Sequence, residues 1–236
     1  MDNKENCLIC EARLQYLDEP VEMECVCCHK KFKSQVRCEN GHFICDECHS
    51  KSGADLVLQY CTKTKEQDPY IIARQLFKDA GIHIHGPEHH ILVPSVLTAA
   101  YLNKTGREDL KEKCLLLCRD RGEKVPGGFC GYAGCCGAGV GVGIFFSVIQ
   151  ETSPLNSESW GEVNRATGRA LMNIGKYDGP RCCKRNTFLA LDTANEILKE
   201  QFKINLVSRK YYCGWFNRNE ECLKEKCEYH PKKSEE

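Results

Sequence analysis

The spacing of apolar and polar positions predicts a series of helices through the middle of this chain, between two ends that show no such period. Asp68-Pro69 reads as an N-cap followed by a first-turn proline. Gly81 then closes a helix in which Ile71, Ile72, Leu76 and Phe77 line one face. Pro87 is expected to start a second helix leading into the apolar run Ile91 to Leu102. Arg107 to Arg121 is amphipathic and ends at Gly122; Cys114 and Cys118 lie on its apolar side with Leu110 and Leu117, a placement that reads as core. Asn156 or Ser157 is expected to cap a helix carrying Trp160, Val163, Leu171 and Ile174. On that helix Asn164, Arg165 and Arg169 could bind an anion, although a solvated face is the commoner outcome. After the break at Gly179-Pro180, Asn186 and Thr187 are expected to start a last helix, Phe188 to Phe202.

The glycine-rich stretch from Pro126 to Ile149 interrupts this regularity. Cys130, Cys135 and Cys136 sit there beside glycines at 127, 128, 131, 134, 137, 139, 141 and 143. Each glycine costs a helix about 1 kcal/mol relative to alanine, so so many in one segment ask for a compensating reason. A metal or cluster held by the thiols, a small ligand, or very close helix packing would each supply one. A second vicinal pair lies in Arg181-Cys182-Cys183-Lys184-Arg185, where basic neighbours and a helix N-terminus favour thiolate. The two segments are expected to meet. Ile82-His83-Ile84-His85-Gly86-Pro87-Glu88-His89-His90 offers imidazoles at His85, His89 and His90, with Glu88 as oxygen ligand or base. His85 and His89 are the preferred pair; the alternative is capping and hydrogen bonding at a helix start.

The ends carry ligand hooks. Residues 7–48 hold Cys7-x2-Cys10, Cys25-x2-Cys28, Cys38-x3-His42 and Cys45-x2-Cys48, seven cysteines and one histidine, enough for two tetrahedral zinc sites. Cys38 to Cys48 resembles the central half of a RING finger. That resemblance implies Cys25, Cys28, Cys45 and Cys48 in one site and Cys7, Cys10, Cys38 and His42 in the other, with sequential ribbon pairing as the alternative. The chain ends on Cys213-x8-Cys222-x4-Cys227-x2-His230, which resembles a CCCH zinc finger. Its acidic residues Glu220, Glu221, Glu225 and Glu228 favour a stapling metal site over an RNA reader. The expected ion is zinc, although three cysteines could also hold iron–sulfur.

Composition changes the picture in two ways. Lysine plus arginine and aspartate plus glutamate both number 33, so the net charge is zero and no global field draws nucleic acid or a membrane surface. Nineteen cysteines, an odd number, behind a polar start without an apolar signal region, read as metal ligands or redox groups of a cytoplasmic protein. The run Ala138 to Ile149 is too short to span a bilayer.

The fold expected is mainly α: a zinc-binding module at 1–60, RING- or zinc-ribbon-like, a helical Cys/His core domain at 61–208, and a Cys3His knuckle at 209–236. Cys130…Gly134-Cys135-Cys136-Gly137-Ala138-x-x-Gly141…Cys182-Cys183 resembles the cysteine-rich proteins named for a C-GCAxxG-C-C pattern, described as probably redox-active. Across nearly its whole length the chain resembles an uncharacterised cysteine-rich family of anaerobic bacteria and archaea, some of whose members accompany radical S-adenosylmethionine or methyltransferase proteins. The resemblance implies anaerobic redox or one-carbon chemistry with such an enzyme as protein partner. The site expected joins Cys130, Cys135, Cys136, Cys182 and Cys183, with His85, His89 and Glu88, and with Gly134, Gly137 and Arg181 about a bound cofactor, an iron–sulfur cluster included. The runner-up is a zinc-stapled adaptor that docks a partner enzyme, and the third reading is RNA binding through the terminal fingers.

Overall fold

The computed structural model describes residues 7, 12–26, 29–79 and 81–231, with the side chains of 47–52 left out. A hairpin comes first: β1 (Leu14–Glu24) and β2 (Lys31–Cys38) pair antiparallel, Leu14 opposite Cys38 and Glu24 opposite Lys31, with an irregularity between Tyr16 and Val21. β1 is largely exposed and β2 largely half-buried, and a two-stranded ribbon is marginal by itself in water. The buried thiols at its base, Cys25, Cys38 and Cys45, are therefore its anchor.

Eight α-helices follow among the described residues: α1 (Asp46–Lys63), α2 (Pro69–Leu76), α3 (Glu88–Thr105), α4 (Lys111–Gly122), the single turn α5 (Phe129–Tyr132), α6 (Gly137–Ile149), α7 (Trp160–Ile174) and α8 (Cys183–Ile197). A wider turn, Leu198–Phe202, extends the last. The fold is mainly helical, as the apolar spacing predicts. Among the described residues no helix is long and apolar enough to cross a membrane.

Helix α3 is the axis of the domain. Ile91 to Asn103 is buried throughout, the mark of a helix that is apolar all round. Helices α1, α2, α4, α6 and α8 all pack on it. Pro94 lies inside α3 and lacks the N–H that would bond the carbonyl of His90. Gly122 of α4 sits against that carbonyl; a Cβ there would come within 2.9 Å of it.

The glycines of α6 serve the same end. Gly137 and Gly141 face α3, where a Cβ would meet His90 and then Val93 and Pro94 at 3.0 Å or less. Gly139 and Gly143 face α7, against Leu171 and Thr167. Two stripes spaced i, i+4 thus bring two neighbours close to one helix. For these four, close helix packing is what offsets the propensity cost.

Several helix boundaries differ from the sequence expectation, among them the start of α4 at Lys111 rather than Arg107. Helix α2 opens as expected, with Asp68 accepting the Tyr70 amide at 2.9 Å, but ends at Leu76 rather than Gly81, and Ile71 is exposed. Helix α7 starts at Trp160, because Asn156 Oδ1 takes the amides of Glu158 and Ser159 in a turn ahead of it. Trp160 faces solvent, and Arg169 pairs with Glu200 at 2.6 and 3.0 Å. Helix α8 starts at Cys183, three residues before Asn186, because Cys182 is itself the cap: its Sγ accepts the Arg185 amide at 3.4 Å.

Candidate metal centres

The described thiols outside the helical core, Cys135 apart, gather in three places, the first of which opens onto the cleft that holds the second. At the base of the hairpin, ligand atoms of Cys7, Cys38 and His42 all lie within 4.8 Å of one another, with Cys7 Sγ 3.7 Å from His42 Nδ1. The amide of Asn40 points at Cys38 Sγ (3.2 Å), on a tight turn whose Gly41 has φ +83°. Cys25 Sγ accepts the Cys45 amide at 3.3 Å, so these two sit together. The grouping is interleaved along the chain, not sequential. Cys10, Cys28 and the Cys48 side chain lie outside the described residues.

The second place is a cleft of about 920 Å³ between the hairpin and the helical core. Cys130, Cys136 and Cys183 line it, with His85, His89, His90, Arg181 and Asn186. Asn186 Nδ2 donates to Cys136 Sγ at 3.4 Å. Burial pushes the Cys136 thiol up, and the neighbouring Cys130 adds to that. Burial likewise pushes Cys183 up to about 12, with Cys136 and Cys182 adding and the Gly86 amide and Arg181 opposing. Cys183 is therefore not a low-pKa thiol by itself, contrary to the sequence expectation: desolvation outweighs the Gly86 amide and Arg181. A cation in the cleft would reverse the balance, since a coordinating thiol ionises.

The imidazole best disposed toward these thiols is His90. Its ring stacks over Gly137 so closely that a Cβ there would come within 2.4 Å of Nε2. Nδ1 lies 3.0 Å from the Val125 carbonyl, which fixes the proton on Nδ1 and turns the Nε2 lone pair toward the start of α6. That arrangement, one nitrogen donating to a carbonyl and the other left to accept, is the one metal-bound histidines use.

Its neighbours are occupied otherwise. His89 is buried, Nε2 3.2 Å from the His83 carbonyl and Nδ1 3.1 Å from the Thr187 hydroxyl, so the neutral ring uses both nitrogens. Burial, with the Lys184 charge, pushes it down to about 3. Glu88 is fully buried and outside the cleft; Oε1 accepts the His83 amide at 2.8 Å. Burial raises its carboxyl, but the His83 hydrogen bond and the His89 and His83 rings outweigh that and hold it at about 2. Lys184 closes this layer, donating to the Ile82 carbonyl at 3.1 Å with its Nζ 4.0 Å from the Phe77 ring centre; burial pushes it down to about 8. Together these groups pin the 82–87 loop over the start of α8. His85 Nε2 lies 2.9 Å from Glu221, while its buried Nδ1 has no partner.

The third place is a small cavity lined by Cys182, Cys213, Cys222 and Cys227, with His230 also in its wall. The vicinal pair is therefore divided: Cys183 faces the cleft and Cys182 the C-terminal cavity. Cys135 is half-buried on the turn before α6 and does not line the cleft. Gly134, with φ +64° and nothing within 4 Å of a Cβ, serves that turn, and Arg181 is exposed at the cleft rim. Sequence spacing did not single out His90 over His85 and His89. The signal was the Gly137 and Val125 partnership, which only the packing of α3 on α6 creates. Cys61, Cys114 and Cys118 are buried in the helical core, Cys118 against the Thr98 hydroxyl at 3.3 Å.

Comparison with known proteins gives one match. No curated protein and no solved structure matches the chain. One family profile, described as a family of unknown function (DUF5714), matches residues 57–230, from the middle of α1 through the last candidate ligand, His230. The match covers well over half of the sequence, and the chain belongs to that family.

Proposed function

We propose that this protein is a cysteine-based metalloprotein whose working centre is held by Cys130, Cys136, Cys183 and His90 at the floor of the cleft, with redox or one-carbon chemistry carried out on a ligand bound above it. The observation that carries this reading is convergence. Three thiols and an imidazole whose Nδ1 carries the proton, drawn from three segments, line one cleft whose volume is that of a cofactor or substrate site. Structural zinc sites are closed by four protein ligands, whereas working sites keep a side open. A centre on a cleft wall meets the second description. Arg181 at the rim and the unpartnered Nδ1 of His85 would orient an anionic or hydrogen-bonding ligand. The hairpin, stapled by zinc at Cys7, Cys10, Cys38, His42 and at Cys25, Cys28, Cys45, Cys48, would form the opposite wall. On the family resemblance, the partner is a radical S-adenosylmethionine or methyltransferase enzyme.

Metal and sulfide analysis of anaerobically purified protein tests this. Cys136→Ser, Cys183→Ser and His90→Gln are each expected to lose the same single centre, while Cys135→Ser keeps it. Iron with acid-labile sulfide and broad visible absorption would identify a cluster; zinc alone would identify a mononuclear site. If Cys136→Ser and Cys183→Ser leave both metal content and thiol reactivity as in the parent, the cleft thiols are packing and the adaptor reading takes over.

A further inference from the structure

We infer that Cys182, Cys213, Cys222 and Cys227 form a separate tetrathiolate metal site, with Cys182 rather than His230 as its fourth ligand, and that this site fastens the C-terminal segment onto the start of α8. The four sulfurs come from two segments and line one cavity of about 20 Å³, room for a single ion or water and too small for an organic ligand. Each sulfur accepts a backbone amide. Trp215 N–H points at Cys213 Sγ and Lys224 N–H at Cys222 Sγ, both 3.4 Å, and the Tyr229 amide serves Cys227. Cys182 receives the Arg185 amide at 3.4 Å and Asn219 Nδ2 at 3.5 Å. Amides directed at sulfur are the outer shell that a thiolate ligand needs.

Lys184 and Arg185 line the same cavity and would offset the excess negative charge of a divalent ion on four thiolates. His230 shares the wall, but its ring lies edge-on to Phe216 with centroids 4.7 Å apart, and its amide bonds the Cys227 carbonyl at 3.0 Å. With four sulfur donors such an ion would be a structural one, and zinc is the default. The site stands apart from the cleft centre and does not depend on it.

The test is metal stoichiometry and cobalt(II) substitution in the full chain. Cys182→Ser is expected to bind one equivalent less than the parent, and His230→Ala the same as the parent. In cobalt-loaded protein the lost signal should carry the sulfur-to-cobalt charge transfer and ligand-field bands of four thiolates. If Cys182→Ser proves insoluble, Cys182→His replaces it. This variant should keep the equivalent while its ligand-field bands move to the positions of three thiolates and one imidazole. Full retention of metal by Cys182→Ser, loss of an equivalent by His230→Ala, or an unchanged spectrum in Cys182→His would each overturn the assignment.

Discussion

A Gly141→Val variant is expected to be less stable than the parent by about 2 kcal/mol, within the range measured for overpacked cores. On intrinsic propensity alone, valine is the better helix former, so the expected sign runs against the local preference. The reason is the distance between α6 and α3. A Cβ at Gly141 would lie 2.9 Å from Pro94 Cδ and 3.0 Å from Val93 Cβ, both on the buried axis helix, and neither is the free end of a flexible chain. Gly168, on the outer helix α7, is the control, because a Cβ there meets nothing within 4 Å. Gly168→Ala should gain up to about 1 kcal/mol. For a chain of this length the valine change corresponds to a melting temperature lower by roughly 4–8 °C. Thermal unfolding of the two variants beside the parent checks it, and a Gly141→Val protein that melts with or above the parent would remove close packing as the reason for glycine here. Gly141 lies one turn beyond Gly137, so the same spacing sets His90 against the start of α6, and loss of packing should reach the cleft thiols.

What was legible in the sequence was whatever a local signal encodes. Asp68-Pro69 marked the start of α2 because a side-chain cap and a fixed φ act within three residues, and the structure shows that cap. The run from Ile91 to Leu102 announced a buried helix by composition alone. The ends of elements were harder. Gly81 looked like the stop of α2, yet the helix had already closed at Phe77, whose amide bonds Ala73. The thiol segments do meet on one cleft, but the membership of the site was not legible. Spacing says that Cys182 and Cys183 are neighbours; it does not say that they point apart. Cys182 is extended, with φ −139° and ψ 105°, while Cys183 is already helical, so consecutive side chains leave the backbone on different sides. The same holds for His89 and His90 at the start of α3: a rotation of about 100° per residue sends one into the core and the other toward α6. Deciding which of two adjacent ligands faces a site requires the neighbouring helix, and α6 reaches α3 only through its glycines.

Asp68→Ala is expected to cost about 3 kcal/mol, the loss typical of a broken buried hydrogen-bond network. The carboxylate does two jobs with its two oxygens. Oδ1 caps α2 through the Tyr70 amide, a contribution of about 1 kcal/mol for an N-cap. Oδ2 collects three donors from the segment after α8: the Ser208 amide at 3.0 Å, the Ser208 hydroxyl at 2.7 Å and the Tyr211 hydroxyl at 2.8 Å. Alanine would leave these facing a void in a site that is almost completely buried. Asp68→Asn keeps the cap but can place an amide donor where three donors point, so most of the loss should remain. Ser208→Ala, which removes one donor and orphans none, should cost only about 1 kcal/mol. Denaturant unfolding of the three variants measures the order. The effect should also be directional. Tyr211 stacks on Tyr70 with rings 4.8 Å apart, and it lies two residues before Cys213. Release of Tyr211 frees the segment that carries Cys213 toward Cys182, so thiol labelling at Cys213 should accelerate in Asp68→Ala while labelling at Cys118, deep in the α3–α4 contact, follows global unfolding alone. Equal acceleration at both positions would mean that Asp68 holds the whole domain together rather than the path to the C-terminal thiols.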